Sequence, residues 1–490
     1  MRLTEIMDGG SRPRRLAPSV GDPEILGLTS DSRDVKPGYL FAALAGARED
    51  GRRYLDDALA RGAAAVLTDA APLDHPIGVP VIADANPRRR LARIAARFYA
   101  PQPATMAAVT GTNGKTSVAV FTRQIWSAQG LKAASIGTIG LVAPGVVRPG
   151  ALTTPDPIKL HEILRDLTRA GVEHVALEAS SHGLDQFRLD GLTLAAAAFT
   201  NLTRDHLDYH GDMAHYLAAK RRLFAELLPP SGTAVINIDD ESGRSLTALA
   251  KTRGQHVITY GAVPDAELRL ASATPTARGL AVEIAVGSEQ RHLELPLLGA
   301  FQAMNALAAV GLAIATGTAP AAALDVLPRL EGVPGRMELA ATHPTGAPLI
   351  VDYAHTPDAL ETALTALRPH TAKRLVVVFG CGGDRDAGKR PQMGAIAARL
   401  ADIAIVTDDN PRSEEPAAIR RAVLAACAGG REIGDRRAAI RAAAKLLDAG
   451  DVLLIAGKGH ESGQIVGART LPFDDRIEAR AAVRAVGGGA

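Results

Sequence analysis

The sequence predicts a three-domain α/β protein built around a central, mostly parallel sheet flanked by helices. Three observations carry that expectation. The chain has 490 residues, more than one hydrophobic core organises. Beyond about residue 103, short apolar runs alternate with longer Ala-, Leu- and Arg-rich stretches of helical period, as βαβ units with parallel strands require. One of these units places a glycine-rich loop, Gly111-Thr112-Asn113-Gly114-Lys115-Thr116, between a strand and a helix.

Composition narrows the function. Hydrophobic residues make up 47% and charged residues 22%, values of a globular chain and not of a disordered or fibrous one. Lys and Arg number 55 against 53 Asp and Glu, a net charge of +2, so there is no general attraction to nucleic acid or anionic membrane and neither is expected as a partner. An anionic ligand must be held locally. Two cysteines, Cys381 and Cys427, are too few for a disulfide framework or zinc cluster and are expected as free thiols in a reducing compartment. Met1–Glu5 lacks a signal-peptide pattern, and no apolar run reaches the roughly 18 residues of a membrane helix. A cytoplasmic protein is expected. The Gly-Gly-Gly-Ala tail is expected to fray.

Proline and glycine mark the domain boundaries. Pro101-Gln102-Pro103 interrupts helix before a fresh strand, and Gly332-Val333-Pro334-Gly335 precedes the apolar run from Pro348 to Val351; X-Pro steps disfavour helix. The expected domains are 1–103, 104–335 and 336–490.

In the central domain Thr105–Thr110 reads as a buried strand and 117–129 as a helix with Val118, Phe121 and Ile125 on one face, stopped by Gly130. Strand, glycine loop and helix make a phosphate cradle of P-loop type. Glycines let backbone N–H groups turn inward, the helix N-terminus adds positive potential, Lys115 contacts outer phosphates and the Thr116 hydroxyl can ligate Mg²⁺, the alternative being a glycine turn with an accidental Lys-Thr. The spacing is short for the general pattern: the first glycine stands three residues before Gly114, not five.

The next strands also end in polar residues, where open α/β sheets place ligands. Glu178, in Val172–Gly183, is a candidate Mg²⁺ ligand, the alternative being a solvated strand end. The run from Thr200 to Gly211 crowds two histidines and two aspartates into one loop, and His206 is a candidate to bind or orient a second metal, against a solvated loop histidine. Lys220 is the anomaly. Projected as a helix, Met213, Tyr216, Leu217, Leu223, Phe224 and Leu227 form an apolar stripe with Lys220 at its centre, while Arg221 and Arg222 project elsewhere. Such a lysine snorkels, loses its charge, or is chemically changed.

In the third domain, predicted as a Rossmann-like α/β unit, strands at Leu375–Phe379, Ile403–Val406 and Val452–Ala456 each end in a polar cluster: Gly380–Arg385, Thr407–Arg412 and Gly457–Glu461. As parallel neighbours they would line one edge carrying both signs of charge, suited to a zwitterionic substrate.

Together these segments resemble the Mur ligases, the ATP-dependent amino-acid-adding enzymes of peptidoglycan synthesis. The likeness spans nearly the whole chain and rests on TGTNGKTS (110–117), TTPDP (153–157), EASSHGLDQFR (178–188), TNLTRDHLDYHGDM (200–213), VDYAHTPDALE (351–361), GCGGDRDAGKRP (380–391), DDNPR (408–412) and GKGHE (457–461). It implies ATP and two Mg²⁺ ions as cofactors. It implies UDP-N-acetylmuramoyl-L-alanyl-D-glutamate and meso-diaminopimelate as substrates, joined through an acyl phosphate by a monomeric enzyme.

Residue by residue, the resemblance implies that Gly111, Thr112, Asn113, Gly114, Lys115, Thr116, Ser117, Asn305, Arg336 and Asp352 bind ATP. Thr116 and Glu178 hold one Mg²⁺; His206 and Lys220, carbamylated to N6-carboxylysine, serve the second. Ser32, Thr153, Thr154, Ser180, Gln186 and Arg188 meet the nucleotide sugar. Arg385, Asp409, Asn410, Pro411, Arg412, Gly457 and Glu461 meet diaminopimelate, Arg412 gripping the distal carboxylate that lysine lacks. Gln302, where relatives commonly carry Asn, and the loop Ala47-Arg48-Glu49 depart from the family pattern. His355 is a candidate base for the amine, with a structural role as the alternative. Closure around substrates implies hinges near 103 and 335.

Two rival readings are a folylpolyglutamate-type ligase, disfavoured by segments 178–188 and 408–412, and a nucleotide-dependent switch or ATPase that hydrolyses ATP without an amino acid. A nucleic-acid-dependent ATPase finds little support in the net charge and the 3% aromatic content.

Overall fold

Four strands, Gly27–Thr29, Tyr39–Ala42, Ala65–Thr68 and Val81–Ala83, pair in sequence order and all in parallel. Helix Pro87–Phe98 closes this first unit; Asn86 caps it through Arg89 N and Pro87 opens it. Its Leu91, Ile94 and Ala95 pack on Leu28, Leu40 and Leu67. The computed structural model describes residues 1–7, 21–46, 49–71, 77–276, 279–287 and 289–487. Ala47 and Arg48 of the divergent loop, and tail residues 488–490, lie outside the described residues.

The central unit holds an 11-stranded sheet. Its inner strands, Ala133–Gly137, His174–Glu178, Thr105–Thr110, Ala196–Phe199, Thr233–Asn237 and His256–Gly261, are neighbours in that order and parallel throughout. All but His256–Gly261, which is buried only from Thr259 on, are largely buried on both faces, which is why they read as short apolar runs. Helices Lys115–Ala128 and Ala300–Ala315 cover one face through Val118, Phe121, Ile125, Leu307 and Val310. Helices Pro157–Arg169 and Glu241–Thr252 cover the other through Leu160, Leu164 and Leu246.

Both flanks turn antiparallel, which the mostly parallel expectation did not resolve. Strands Gly140–Ala143 and Val146–Arg148 extend one side, and Gly279–Val286 and Glu289–Leu295 extend the other beyond Leu268–Thr276. Antiparallel neighbours need only a tight turn; Gly145, at φ 70°, supplies one.

In the third unit Glu338–Thr342 pairs antiparallel with Pro348–Asp352, followed in parallel by Val452–Ala456, Leu375–Phe379, Ile403–Val406 and Arg431–Glu432. The three strands expected from sequence are present and adjacent, so their polar clusters do share one edge. Both cysteines are free and buried. No helix among the described residues is long and apolar enough to cross a membrane.

The helix carrying Lys220, Met213–Arg222, runs into a single π turn, Leu223–Leu227. Tyr216, Leu223 and Phe224 are buried as expected, and Lys220 is 1% exposed, which excludes snorkelling. Arg222 corrects the projection: it is buried too. Asp190 receives its guanidinium at 2.6 Å, Leu184 O accepts from it, and Phe187 lies under it at 4.1 Å. Arg89 of the first unit joins the same carboxylate at 2.9 Å.

His161, 1% exposed on helix Pro157–Arg169, gives a stability prediction. Burial holds it down to about 4, with the Asp190 backbone acting weakly the other way. The unfolded chain takes up this proton near pH 6.5 and the folded one only near 4, so stability should fall as pH drops through that window, by up to ~3 kcal/mol. Chemical denaturation at pH 7.5 and 5 should show the loss, and His161→Leu should remove that share of it.

Candidate active site

The glycine loop takes the conformation its letters require. Gly111 has φ 145° and Gly114 φ 88°; a Cβ would collide with Thr200 Oγ1 at the first and Asn305 Oδ1 at the second. The loop is braced by the end of the neighbouring strand. Thr200 Oγ1 donates to Asn113 O at 2.6 Å, Asn113 N to Asn201 Oδ1 at 2.9 Å and Thr112 N to Asn201 O at 2.9 Å. Thr200 and Asn201 stood in a motif read for its histidines and aspartates, and their bracing role was missed. Lys115 folds over the loop, its Nζ on Gly111 O at 2.9 Å and Thr112 O at 2.7 Å. Burial lowers its pKa, with Glu178 and Asp205 opposing.

Glu178 stands behind the loop and is 2% exposed. Thr116 Oγ1 donates to its Oε2 at 3.1 Å, Thr138 N to Oε1 at 2.7 Å and Thr138 Oγ1 to Oε2 at 3.1 Å. Its backbone carbonyl accepts from Thr154 Oγ1 at 2.7 Å, which in turn receives Ser180 N and Oγ, both at 3.0 Å. Arg188 ties this corner together, donating to Thr154 O and Gln186 Oε1 at 2.7 Å each. Thr153 Oγ1 lies 3.1 Å from Thr138 Oγ1. Ser32 is apart from this cluster, buried in a 3₁₀ turn of the first unit, and lines neither of the cavities below.

Lys220 Nζ donates to Gly111 O at 2.8 Å and sits 4.1 Å above the Tyr216 ring. Burial, and then the Lys115 cation, hold its pKa well below the ordinary lysine value. His206, at φ 54°, adjoins His182 and Tyr216 with ring centroids 4.9 and 6.1 Å apart. Burial lowers it to about 4 against the opposing Asp205 carboxylate. The Thr116 hydroxyl and Glu178 carboxylate are hard oxygen donors beside the glycine loop, a donor set that would suit Mg²⁺. Among the described residues no group of three or more His, Cys, Asp or Glu is placed to hold an ion by itself. A second ion beside His206 fits only with oxygens added, as a carbamate on Lys220 would add them.

The third unit closes the glycine-loop side of the site. Arg336 NH2 donates to Thr116 Oγ1 at 3.2 Å and its guanidinium lies 4.4 Å over the Tyr353 ring. Asp352 accepts from Met337 N at 2.7 Å and Ala354 N at 2.8 Å, while burial raises its pKa against Arg336. Asn305 donates to Gln302 Oε1 at 3.0 Å, so the divergent Gln302 supports a loop-facing residue. Asp358, which sequence reading did not single out, reaches across units: Asn113 Nδ2 and Thr203 Oγ1 both donate to its Oδ2 at 3.0 Å.

At the C-terminal strand edge, Asp409 and Asn410 are buried and Gly457 has φ 122°. Arg412, at φ 53°, donates to Gly383 O at 2.8 Å, and Pro411 O packs against Gly383. Arg385, Asp409, Asn410, Arg412, Gly457 and Glu461 line a cavity of about 760 Å³. A second cavity of about 460 Å³ holds the glycine loop, Glu178, Lys220, Asn305, Arg336 and Asp352. The two share a wall of Thr203, Asp205, His206, Tyr353, His355, Thr356 and Asp358. His355 is set in that wall with Nδ1 2.8 Å from Tyr353 O; the carbonyl accepts, so Nδ1 carries the proton and Nε2 is left as the acceptor.

Three segments match known family models: residues 24–99 the Mur ligase family catalytic domain, 109–313 the Mur ligase middle domain and 335–459 the Mur ligase glutamate ligase domain. A curated relative from Bradyrhizobium diazoefficiens, named UDP-N-acetylmuramoyl-L-alanyl-D-glutamate–2,6-diaminopimelate ligase, is 55% identical over 471 residues, 96% of each chain. One of the same name from Rhizobium meliloti is 53% identical over 487 residues, 99% of each. A solved structure bearing that ligase name aligns with TM-score 0.69 and 36% identity over 94% of this chain and 95% of its own.

Proposed function

This chain belongs to the Mur ligase family, and from that premise we infer that it uses ATP to join meso-2,6-diaminopimelate to the D-glutamyl carboxylate of UDP-N-acetylmuramoyl-L-alanyl-D-glutamate in peptidoglycan synthesis. The observation that supports this most is the shared wall between the glycine-loop cavity and the charged third-domain cavity. A carboxylate activated on one side meets an amine from the other without crossing solvent.

The carboxylate oxygen attacks the γ-phosphorus of ATP, giving an acyl phosphate and ADP. The amine then attacks the acyl carbon, an amide bond forms, phosphate leaves and the amine loses its proton. Carboxylate and γ-phosphate are both anionic, so the first barrier is largely electrostatic. Gly111 to Ser117 cradle the phosphates, with Lys115 beside them, and Asn305, Arg336 and Asp352 also contact ATP. When bound, Mg²⁺ supplies further compensation of that charge. Thr116 and Glu178 would hold one ion, and His206 and the Lys220 carbamate a second.

Ser32, Thr153, Thr154, Ser180, Gln186 and Arg188 bind the nucleotide sugar in this reading; Arg385, Asp409, Asn410, Pro411, Arg412, Gly457 and Glu461 bind diaminopimelate. Domains 1–103, 104–335 and 336–490 of a cytoplasmic monomer close about hinges near 103 and 335, excluding water from the acyl phosphate. The test is phosphate release from ATP and Mg²⁺ with the nucleotide-sugar dipeptide. Release should require diaminopimelate and should not occur with L-lysine. Release without any amine would overturn the ligase reading in favour of a switch, and release with L-lysine alone would overturn the specificity.

A further inference from the structure

Beyond the third sheet the chain forms a hairpin of its own, Gly463–Val466 against Arg469–Pro472, with Val466 and Leu471 exposed. Its first strand lies along the Asp409–Arg412 loop. Arg412 N donates to Ile465 O at 3.1 Å and Arg412 O accepts from Gly467 N at 2.7 Å, a parallel bridge centred on Val466. Gln464 Nε2 donates to Asp409 O at 2.8 Å, and Ile465 N to Asn410 Oδ1 at 2.9 Å. Three of the four loop residues are thus tied to one short strand.

Lys458 ties the same loop from below. It is 0% exposed, and its Nζ meets Asn410 Oδ1 at 2.9 Å, Glu461 Oε2 at 3.1 Å and Asp409 Oδ1 at 3.4 Å. Because Asn410 Oδ1 accepts from both Lys458 and Ile465 N, its amide is oriented and its Nδ2 donates to Glu461 Oε2 at 3.0 Å. Arg412 occupies left-handed backbone at φ 53°, a conformation a non-glycine residue holds only against strain, and among the described residues it is the hairpin that bonds both its backbone N–H and its C=O. Bidentate capture of a carboxylate needs the guanidinium fork held in one orientation. An untethered loop would let it wander.

We propose that hairpin 463–472 is a strap that sets the geometry of the amine-substrate loop, with Gln464 as a positioning residue selecting an amino acid that carries a second, distal carboxylate. The inference rests on the diaminopimelate reading above. Gln464→Met keeps the shape but removes the donor; Gln464→Glu keeps the length and places an acceptor against the Asp409 carbonyl. Both variants should raise KM for diaminopimelate about tenfold or more and lower the preference for diaminopimelate over L-lysine. KM for ATP and for the nucleotide sugar should stay within about twofold. An unchanged KM for diaminopimelate overturns the proposal, as does a parallel rise in all three constants, which would mark general damage. If the unmodified enzyme fails to release phosphate with diaminopimelate, the functional reading has failed instead.

Discussion

Lys220→Ala is expected to lower turnover by about a thousandfold or more while the protein still folds and binds ADP, and short carboxylates such as formate or acetate should restore part of the activity. The lysine is 1% exposed, with Gly111 O and the Tyr216 ring for company and the Lys115 cation among the causes that depress its pKa. Such surroundings favour the neutral amine over the ammonium. A neutral amine adds to CO2: the N–C bond forms, a proton leaves nitrogen, and the product is a carbamate anion beside the Lys115 ammonium. On the proposed reading, a buried amine that disfavours the cationic form would thereby become an anionic oxygen ligand for metal. The alanine variant leaves room where a small carboxylate can supply that charge. Lys220→Arg places a permanent cation there and cannot be carbamylated, so it should be as inactive as the alanine and should not respond to carboxylates. Intact mass of the unmodified enzyme, with and without bicarbonate, tests the adduct independently. An arginine variant with normal turnover would end this account.

What the sequence revealed was whatever chemistry is local. Gly111 and Gly114 are spaced for a loop that a Cβ would break, and the strands at 105–110, 375–379, 403–406 and 452–456 are apolar runs because both their faces are covered. Lys220 was legible as a misfit on its own helix. Arg222 was not, because the partner that justifies its burial, Asp190, lies 32 residues away in sequence. Asp358 is further removed: its bond to Asn113 spans 245 residues and joins two units. No periodicity reports such a contact. The strap at 463–472 was invisible for a related reason, since its hydrogen bonds to the 409–412 loop come largely from backbone atoms, which carry no sequence signature.

The second large effect concerns Arg412. Arg412→Lys should raise KM for diaminopimelate roughly a hundredfold and change the weak reaction with L-lysine little, so the preference between them should collapse. Lysine at that position retains the charge but not the planar fork, and a buried carboxylate gripped by one donor in place of two loses both energy and direction. Steady-state phosphate release with each amino acid measures this; an unchanged ratio would remove Arg412 from the specificity account. Combined with Gln464→Met, the variant discriminates further. If the strap acts by aiming the guanidinium, then once the guanidinium is gone the glutamine has nothing left to aim, and the double variant should be scarcely worse than Arg412→Lys alone. Two independent contributions would instead multiply, and the strap would have to act on diaminopimelate through Asp409 or Asn410.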